Sequence, residues 1–275
     1  MQDILVHATR LEPWTHGVEY AARLAASVGA SITGAYVYSS PLYTAPPYCS
    51  AELLEAIFEN ARAMDAAARA AGKPFAAWAR ALGARDAAWN VAEDYLPRAL
   101  AHIGTWHDLL VLEANPDSAW GSPPDLASLV LTAGLPCIVV PAKETRNVRV
   151  DCVALAWNGA PEAIRAIHAA MPLLQRAKRV VLLVGERRNA HLDIAWKPPF
   201  EIAAYLERHG IKAEQQDLVT DDEKAGEALL DAAAKVGADM LVMGAYGRSR
   251  LSEWMLGGAT RHVLRHAELP LFMRH

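Results

Sequence analysis

Four glycines near the C-terminal end carry the strongest chemical signal in the chain. Gly244-Ala-Tyr-Gly247 is followed by nine residues and then by Gly257-Gly258-Ala259-Thr260-Arg261. The segment follows the apolar run Asp239-Met-Leu-Val-Met243 and leads into a helical pattern. Glycines in such a place let the backbone reach positive φ and approach a ligand closely. Successive N–H groups cradle phosphate oxygens. A helix starting near Gly257–Thr260 adds a partial positive charge and free N–H donors. The Thr260 hydroxyl is a further donor, and Arg248 and Arg250 add charge, although arginines on a loop are often simply solvated. The implied chemistry is binding of a phosphorylated ligand. The competing reading is a tight strand-to-helix turn whose glycines serve close helix packing. The loop is neither a Walker loop, since it lacks Gly-Lys-Ser/Thr, nor a G-x-G-x-x-G dinucleotide fingerprint.

The chain supplies its own control. At an offset of 131, Asp108-Leu-Leu-Val-Leu112 matches Asp239-Met-Leu-Val-Met243, and there Glu113 replaces Gly244 while Pro116 replaces Gly247. A carboxylate repels phosphate and proline offers no N–H, so the first half is expected not to bind a nucleotide at this place. Other candidates are weaker. His262 and His266 lie four apart, a spacing that puts two metal ligands on one helix face, but only Glu268 could be a third, and solvated histidines are the better reading. No Ser-His-Asp or Cys-His set has recognisable local spacing.

The elements that must position the loop follow from pattern. Strands are expected near Ile4–Ala8, Ser31–Val37, Phe75–Leu82, Leu109–Leu112 and Cys137–Val140. The second half repeats them near Val153–Trp157, Val180–Val184, Lys212–Leu218, Met240–Met243 and Leu271–Met273. Helical faces lie between them: Val18, Ala21, Leu24 and Val28; Ile164, Ile167, Met171 and Leu174; Ala225, Leu229, Ala232 and Val236. Pro161 suits a first helical turn, and Pro97 marks a kink or restart. Strands alternating with helices imply parallel pairing and right-handed crossovers. The fold class is α/β, two tandem doubly wound five-stranded parallel-sheet domains of the flavodoxin-like or Rossmann-like kind, at 1–143 and 150–275 with a polar junction between. Matching Gly72 with Gly210 makes the first half longer by 11 residues between strands one and three, placed at the Pro- and Tyr-rich Ser39–Ser50. Matching Leu135-Pro136 with Leu269-Pro270 makes the second half longer by 3 residues, within the glycine loop.

Composition bounds the rest. At 53% hydrophobic and 21% charged, the chain has enough apolar residues for a full core and is not disordered by default. A net charge of −4 gives no reason to expect a nucleic-acid groove or an anionic membrane surface. No run of about 18 apolar residues suggests a membrane span. Met1-Gln-Asp-Ile4 is strand-like rather than a signal peptide. Cys49, Cys137 and Cys152, odd in number and far apart, suggest buried thiols in a reducing compartment, most simply the cytoplasm.

This arrangement closely resembles the universal stress protein family, specifically its tandem two-domain members with an adenine nucleotide alpha hydrolase-like fold. The most specific part is Ala238-Asp239 through Gly244 and Gly247 to Gly257-Gly258-Ala-Thr260-Arg-His-Val263, followed by Leu269-Pro270. It matches the pattern G-x2-G-x9-G-[S/T] at every glycine and departs from it at Gly258, where ATP-binding members usually carry Ser or Thr. The resemblance implies ATP or another adenine nucleotide as cofactor, with a divalent cation such as Mg beside the phosphates. The implied binding residues are Asn158, Gly159, Val184, Gly244, Gly247, Arg248, Gly257, Gly258 and Thr260. Asn158 stands where the family usually has Asp, and its other reading is a turn or helix N-cap residue. Thr9 holds the matching place in the first half. At Val184-Gly185 the family makes a backbone contact to adenine. The resemblance also implies that Cys137–Ala142 pairs with Leu271–His275, an intrachain counterpart of the family's dimer; association of two chains as a homodimer is not specified by the sequence. Function is then expected to be stress-related and regulatory. The alternative is a nucleotide-free interaction scaffold, favoured by Gly258 and Asn158. An enzyme acting on an adenine-nucleotide-like substrate ranks last, because no general base is evident near the loop and any ATP turnover is expected to be slow.

Overall fold

Apolar runs became strands and 3.6-residue patterns became helices in this chain, with one exception that changes how its two halves align. The computed structural model describes residues 1–44, 46, 48–142, 148–185, 201–219, 224–245 and 258–275. Most of the junction and most of the glycine loop therefore lie outside the described residues. By contact the chain divides into two units, Met1–Glu113 with Thr132–Leu135, and Ala114–Leu131 with Pro136–His275.

In the first unit, β1 (Asp3–His7), β2 (Ser31–Tyr38), β3 (Ala87–Glu93) and β4 (Leu109–Glu113) run parallel in the order β3-β2-β1-β4. The chain builds outward from β1 and then returns to its other side, the doubly wound pattern. α1 (His16–Val28) links β1 to β2. Its Val18, Ala21 and Leu24 are buried, as the helical spacing predicts. α2 (Pro41–Thr44), α3 (Ala51–Ala70) and α4 (Gly72–Ala81) lie between β2 and β3. α5 (Leu96–Gly104) starts at the residue before Pro97, where the missing proline N–H costs nothing.

Residues 75–82, expected to be the third strand, instead lie mostly in α4. Phe75 and Ala79 are its buried residues, four apart, which is a helical period and not an alternating one. Phe75 packs with Trp14, Trp78 and Trp89 at ring-centroid distances of 5.4, 6.1 and 5.0 Å. The true strand, Ala87-Ala-Trp-Asn-Val-Ala-Glu93, has few of the residues that favour strands. It takes its place through parallel pairing with β2 over seven residues. Trp89 fills the room left by Gly34, where a Cβ would lie 2.4 Å from its ring. The Gly72–Gly210 match therefore fails. The β2–β3 connection holds 48 residues against 28 between Val184 and Ala213, an excess of 48 − 28 = 20 that is larger than Ser39–Ser50.

In the second unit, β6 (Cys152–Trp157), β7 (Arg179–Val184), β8 (Ala213–Asp217), β9 (Met240–Gly244) and β10 (Leu271–Arg274) repeat that scheme. Their order is β10-β9-β6-β7-β8, all parallel. β5 (Cys137–Val140), preceded by α6 (Pro123–Thr132), pairs antiparallel with β10, with Phe272 opposite Ile138. This is the pairing of last strands that the sequence led us to expect. Among the described residues this half has four helices: α7 (Pro161–Leu174), α8 (Ile202–Arg208), α9 (Ala225–Lys235) and α10 (Gly258–His266). Among the described residues no helix is long and apolar enough to cross a membrane. Of the three free thiols only Cys137 is fully buried, and burial pushes it up to about 12, which keeps it protonated and unreactive.

The repeat has a side-chain signature. Asp108 Oδ2 accepts the N–H groups of Gln2 and Asp3 at the start of β1. Asp239 Oδ2, its match at offset 131, accepts those of Asp151 and Cys152 at the start of β6, at 2.9 and 2.8 Å. Partial burial pushes the Asp108 carboxyl up, but its backbone donors and the N-terminal ammonium outweigh this and hold it below the usual range.

His7 ends β1 fully buried, and desolvation lowers its imidazole to about 4. An unfolded histidine titrates near 6.5. The folded state then resists a proton that the unfolded state accepts, so stability is intact above pH 6.5 and falls as pH drops toward 4. The expected loss is up to roughly 3 kcal/mol, at about 1.4 kcal/mol per pH unit. Urea unfolding at pH 7 and pH 4.5 should show a smaller acid-induced loss for His7→Leu than for the native chain.

Candidate functional site

In open α/β sheets ligands bind beyond the carboxyl ends of the strands, where strand order reverses. In the second unit that point lies between β6 and β9, which pair with Leu155 beside Val242. Asn158 and Gly159 follow β6, Val184 ends β7 and Gly244 ends β9. The parallel registers bring all four to one edge of the sheet.

The local geometry shows how much bonding capacity each residue has left. Asn158 Oδ1 accepts the Ala160 N–H at 3.1 Å, so its carbonyl serves the turn into α7 and its amide N–H groups remain as donors. Gly159 has φ +78°, which only glycine adopts without strain. Pro161 then begins α7. The Val184 carbonyl accepts the Leu218 N–H at 2.7 Å, and the Gly185 N–H donates to the Trp157 carbonyl at 2.9 Å. These two backbone groups at the end of β7 are thus engaged within the unit.

Gly244 has a reason to be glycine that needs no ligand. A Cβ there would lie 2.6 Å from the Glu162 carbonyl carbon and 2.7 Å from the Ala163 nitrogen. The first turn of α7 presses onto the end of β9, and the buried Glu162 sits in that turn, where the helix dipole favours a negative charge. In the first unit the same two places have exchanged residues. Glu113 ends β4, and Gly17 is the second residue of α1 as Glu162 is of α7. A Cβ on Gly17 would lie 2.7 Å from the Glu113 Cβ. Glu113, only 8% exposed, accepts the Gly17 N–H at 3.1 Å. Thr15, the N-cap residue, makes no capping bond. Its hydroxyl is buried without a hydrogen-bond partner among the described residues. The cap of α1 comes instead from β4.

α10 begins at Gly258, and among the described residues no atom lies within 4 Å of the position a Cβ would take there. Thr260, two residues on, is buried at 5% exposure. Gly247, Arg248 and Gly257 lie outside the described residues. His262 and His266 stack with ring centroids 4.3 Å apart, and His266 Nδ1 contacts the His262 carbonyl. Among the described residues no three groups are placed to hold a metal ion. Sequence reasoning missed the exchange of Gly and Glu. Its signal was present, because an offset of 145 pairs Gly17 with Glu162 as 131 pairs Glu113 with Gly244.

Two doubly wound halves of this kind, each with a strand-order reversal, define a tandem Rossmann-like α/β fold. Residues 153–274 match the model of the universal stress protein family. The universal stress protein Slr1230 of Synechocystis sp. is 29% identical over 136 residues, 50% of this chain and 45% of that protein, so the match spans less than half of that relative. Among solved structures, a universal stress protein from Archaeoglobus fulgidus superposes with a TM-score of 0.69 at 14% identity, covering 99% of this chain and 95% of that one. A functionally unknown protein from Pseudomonas aeruginosa gives 0.57 at 14% identity, covering 100% and 92%. Over residues 153–274, fewer than half of its residues, the chain is thus similar to the universal stress protein family.

The glycines on either side of the loop should therefore respond differently to substitution in the ligand-free protein. Gly244→Ala forces a Cβ into backbone and is expected to cost roughly 1–3 kcal/mol. Gly258→Ser meets no described atom and should change stability by less than about 0.5 kcal/mol. Chemical denaturation of both variants checks this.

Proposed function

We propose that this chain is a tandem universal stress protein, with repeats at 1–143 and 150–275, that binds ATP or a related adenine nucleotide in its second repeat only. It would act as a cytoplasmic regulatory protein. In this reading the phosphates lie against the Gly244–Thr260 segment at the N-terminus of α10, with Mg as their counter-ion. Asn158 offers its amide N–H groups to the sugar or base, and Val184 borders the base. Turnover is slow, because no residue of the set is a general base. One observation carries the reading. The edge between β6 and β9 has glycine at its strand end, and among the described residues no atom lies within 4 Å of where a Gly258 Cβ would stand, whereas its counterpart in the first repeat is closed by the Glu113 carboxylate.

A second reading is a nucleotide-free interaction scaffold of the same fold. It is favoured by the Asn158 carbonyl already bonded to Ala160 and by the packing demand that accounts for Gly244.

Calorimetric titration of ATP with magnesium, after assay of the denatured protein for co-purified nucleotide, separates the two. On the first reading the native chain binds one equivalent and Gly247→Glu with Gly257→Glu abolishes binding. Gly258→Ser, which restores the family's hydroxyl, tightens it by about tenfold, the effect of one added hydrogen bond to a charged group. Absence of binding to both the native chain and Gly258→Ser, with no nucleotide co-purified, would leave the scaffold reading.

A further inference from the structure

α3 is 20 residues long, about 30 Å at 1.5 Å per residue. Only Ala68 is buried along its length. One side leans on its own unit. Tyr38 donates to Asp65 Oδ1 at 2.9 Å, and Trp89 Nε1 donates to the Ala68 carbonyl at 2.8 Å. The half-buried Leu54, Ile57, Phe58, Ala61 and Met64 follow the same side. A helix normally hides more than this, because most helical stability comes from packing one face.

The outer side has a pattern of its own. Leu53, Ala56, Asn60, Ala63, Ala67 and Ala70 recur at alternating spacings of three and four residues, and all are exposed. That is the a/d spacing of a two-helix seam. Leu53 keeps 47% of its surface in water. The charges beside the seam are polarised along the helix. Glu52, Glu55 and Glu59 occupy its first half, and Arg62 and Arg69 its second. Arg69 also holds Asp65 on its own helix at 2.8 Å.

We infer that α3 is a self-association surface, and that its occupant is α3 of a second copy of this chain, lying antiparallel. The argument is charge complementarity under a two-fold axis, which makes one patch serve both partners. With the axis near Asn60 and Ala61, Glu59 of each copy lies opposite Arg62 of the other, and Glu52 lies opposite Arg69. Asn60 of each copy lies nearest Asn60 of the other within the seam. A parallel arrangement would instead set glutamates against glutamates. Alanines on the seam let the two helix axes come close, near the 8 Å end of the usual packing range. Ile57 and Met64, half-buried at the margin, close the flank opposite the charges.

The test is sedimentation equilibrium of the full chain across concentrations up to ~100 µM, a range that detects micromolar association, with circular dichroism to confirm that each variant is folded. The native chain should dimerise. Ala63→Glu at the centre of the seam should leave it monomeric. Glu59→Arg and Arg62→Glu should each weaken the dimer about tenfold or more, since like charges across an interface cost several kcal/mol. The double reversal Glu59→Arg with Arg62→Glu should restore it. A native chain that stays monomeric, a folded Ala63→Glu that dimerises as the native chain does, or a double reversal no better than the single ones would overturn the inference.

Discussion

The structure depends on a close approach repeated in both halves. The end of the fourth strand of each half lies so near the first turn of that half's opening helix that only one of the two facing positions can carry a side chain. In the first half the helix gives way with Gly17 and the strand carries Glu113; in the second the strand gives way with Gly244 and the helix carries Glu162. Either solution keeps one glutamate beside a helix N-terminus, where the helix dipole favours it. They differ in what they leave at the strand end. Glycine there leaves the strand end without a side chain. Glutamate fixes that end to the helix through the Gly17 N–H.

At this contact two halves that share a scaffold diverge. The carboxylates of Asp108 and Asp239 tie the fourth strand to the first in the same way in each half, so the frame is conserved between them at the amino end of the sheet. Divergence lies at the carboxyl end, where function resides in this class of fold. Gly244 therefore has two reasons to be glycine, and the packing reason suffices by itself. Among the described residues nothing packs against the place of a Gly258 Cβ, so that glycine has no packing reason in them.

Much of this was legible in the sequence. Nine of the ten strands lie where apolar runs placed them, and the antiparallel partner of β10 was expected from Cys137–Ala142. The third strand was not legible. Phe75 and Trp78 are strong strand formers by type, yet their spacing with Ala79 suits a helix, while Ala87–Glu93 becomes a strand only because β2 pairs with it and Trp89 finds the hollow over Gly34. Tertiary pairing overrode local preference. At the candidate site, pattern alone located Asn158 and Gly244 at strand ends. It could not reveal that the Asn158 carbonyl was taken by Ala160, or that Gly244 faced the backbone of Glu162, because both are contacts and not compositions.

The pairing of β5 with β10 has a consequence for how the chain can be divided. β5 comes from the first half of the sequence, yet it satisfies the outer hydrogen-bonding edge of β10. A fragment beginning after the junction would carry β10 with that edge bare, and a bare apolar strand such as Leu271-Phe-Met-Arg274 templates pairing with any extended segment available. The covalent link to the first half thus acts as a built-in guard. It keeps a complementary strand always at hand, so that the second half need not recruit one from another molecule.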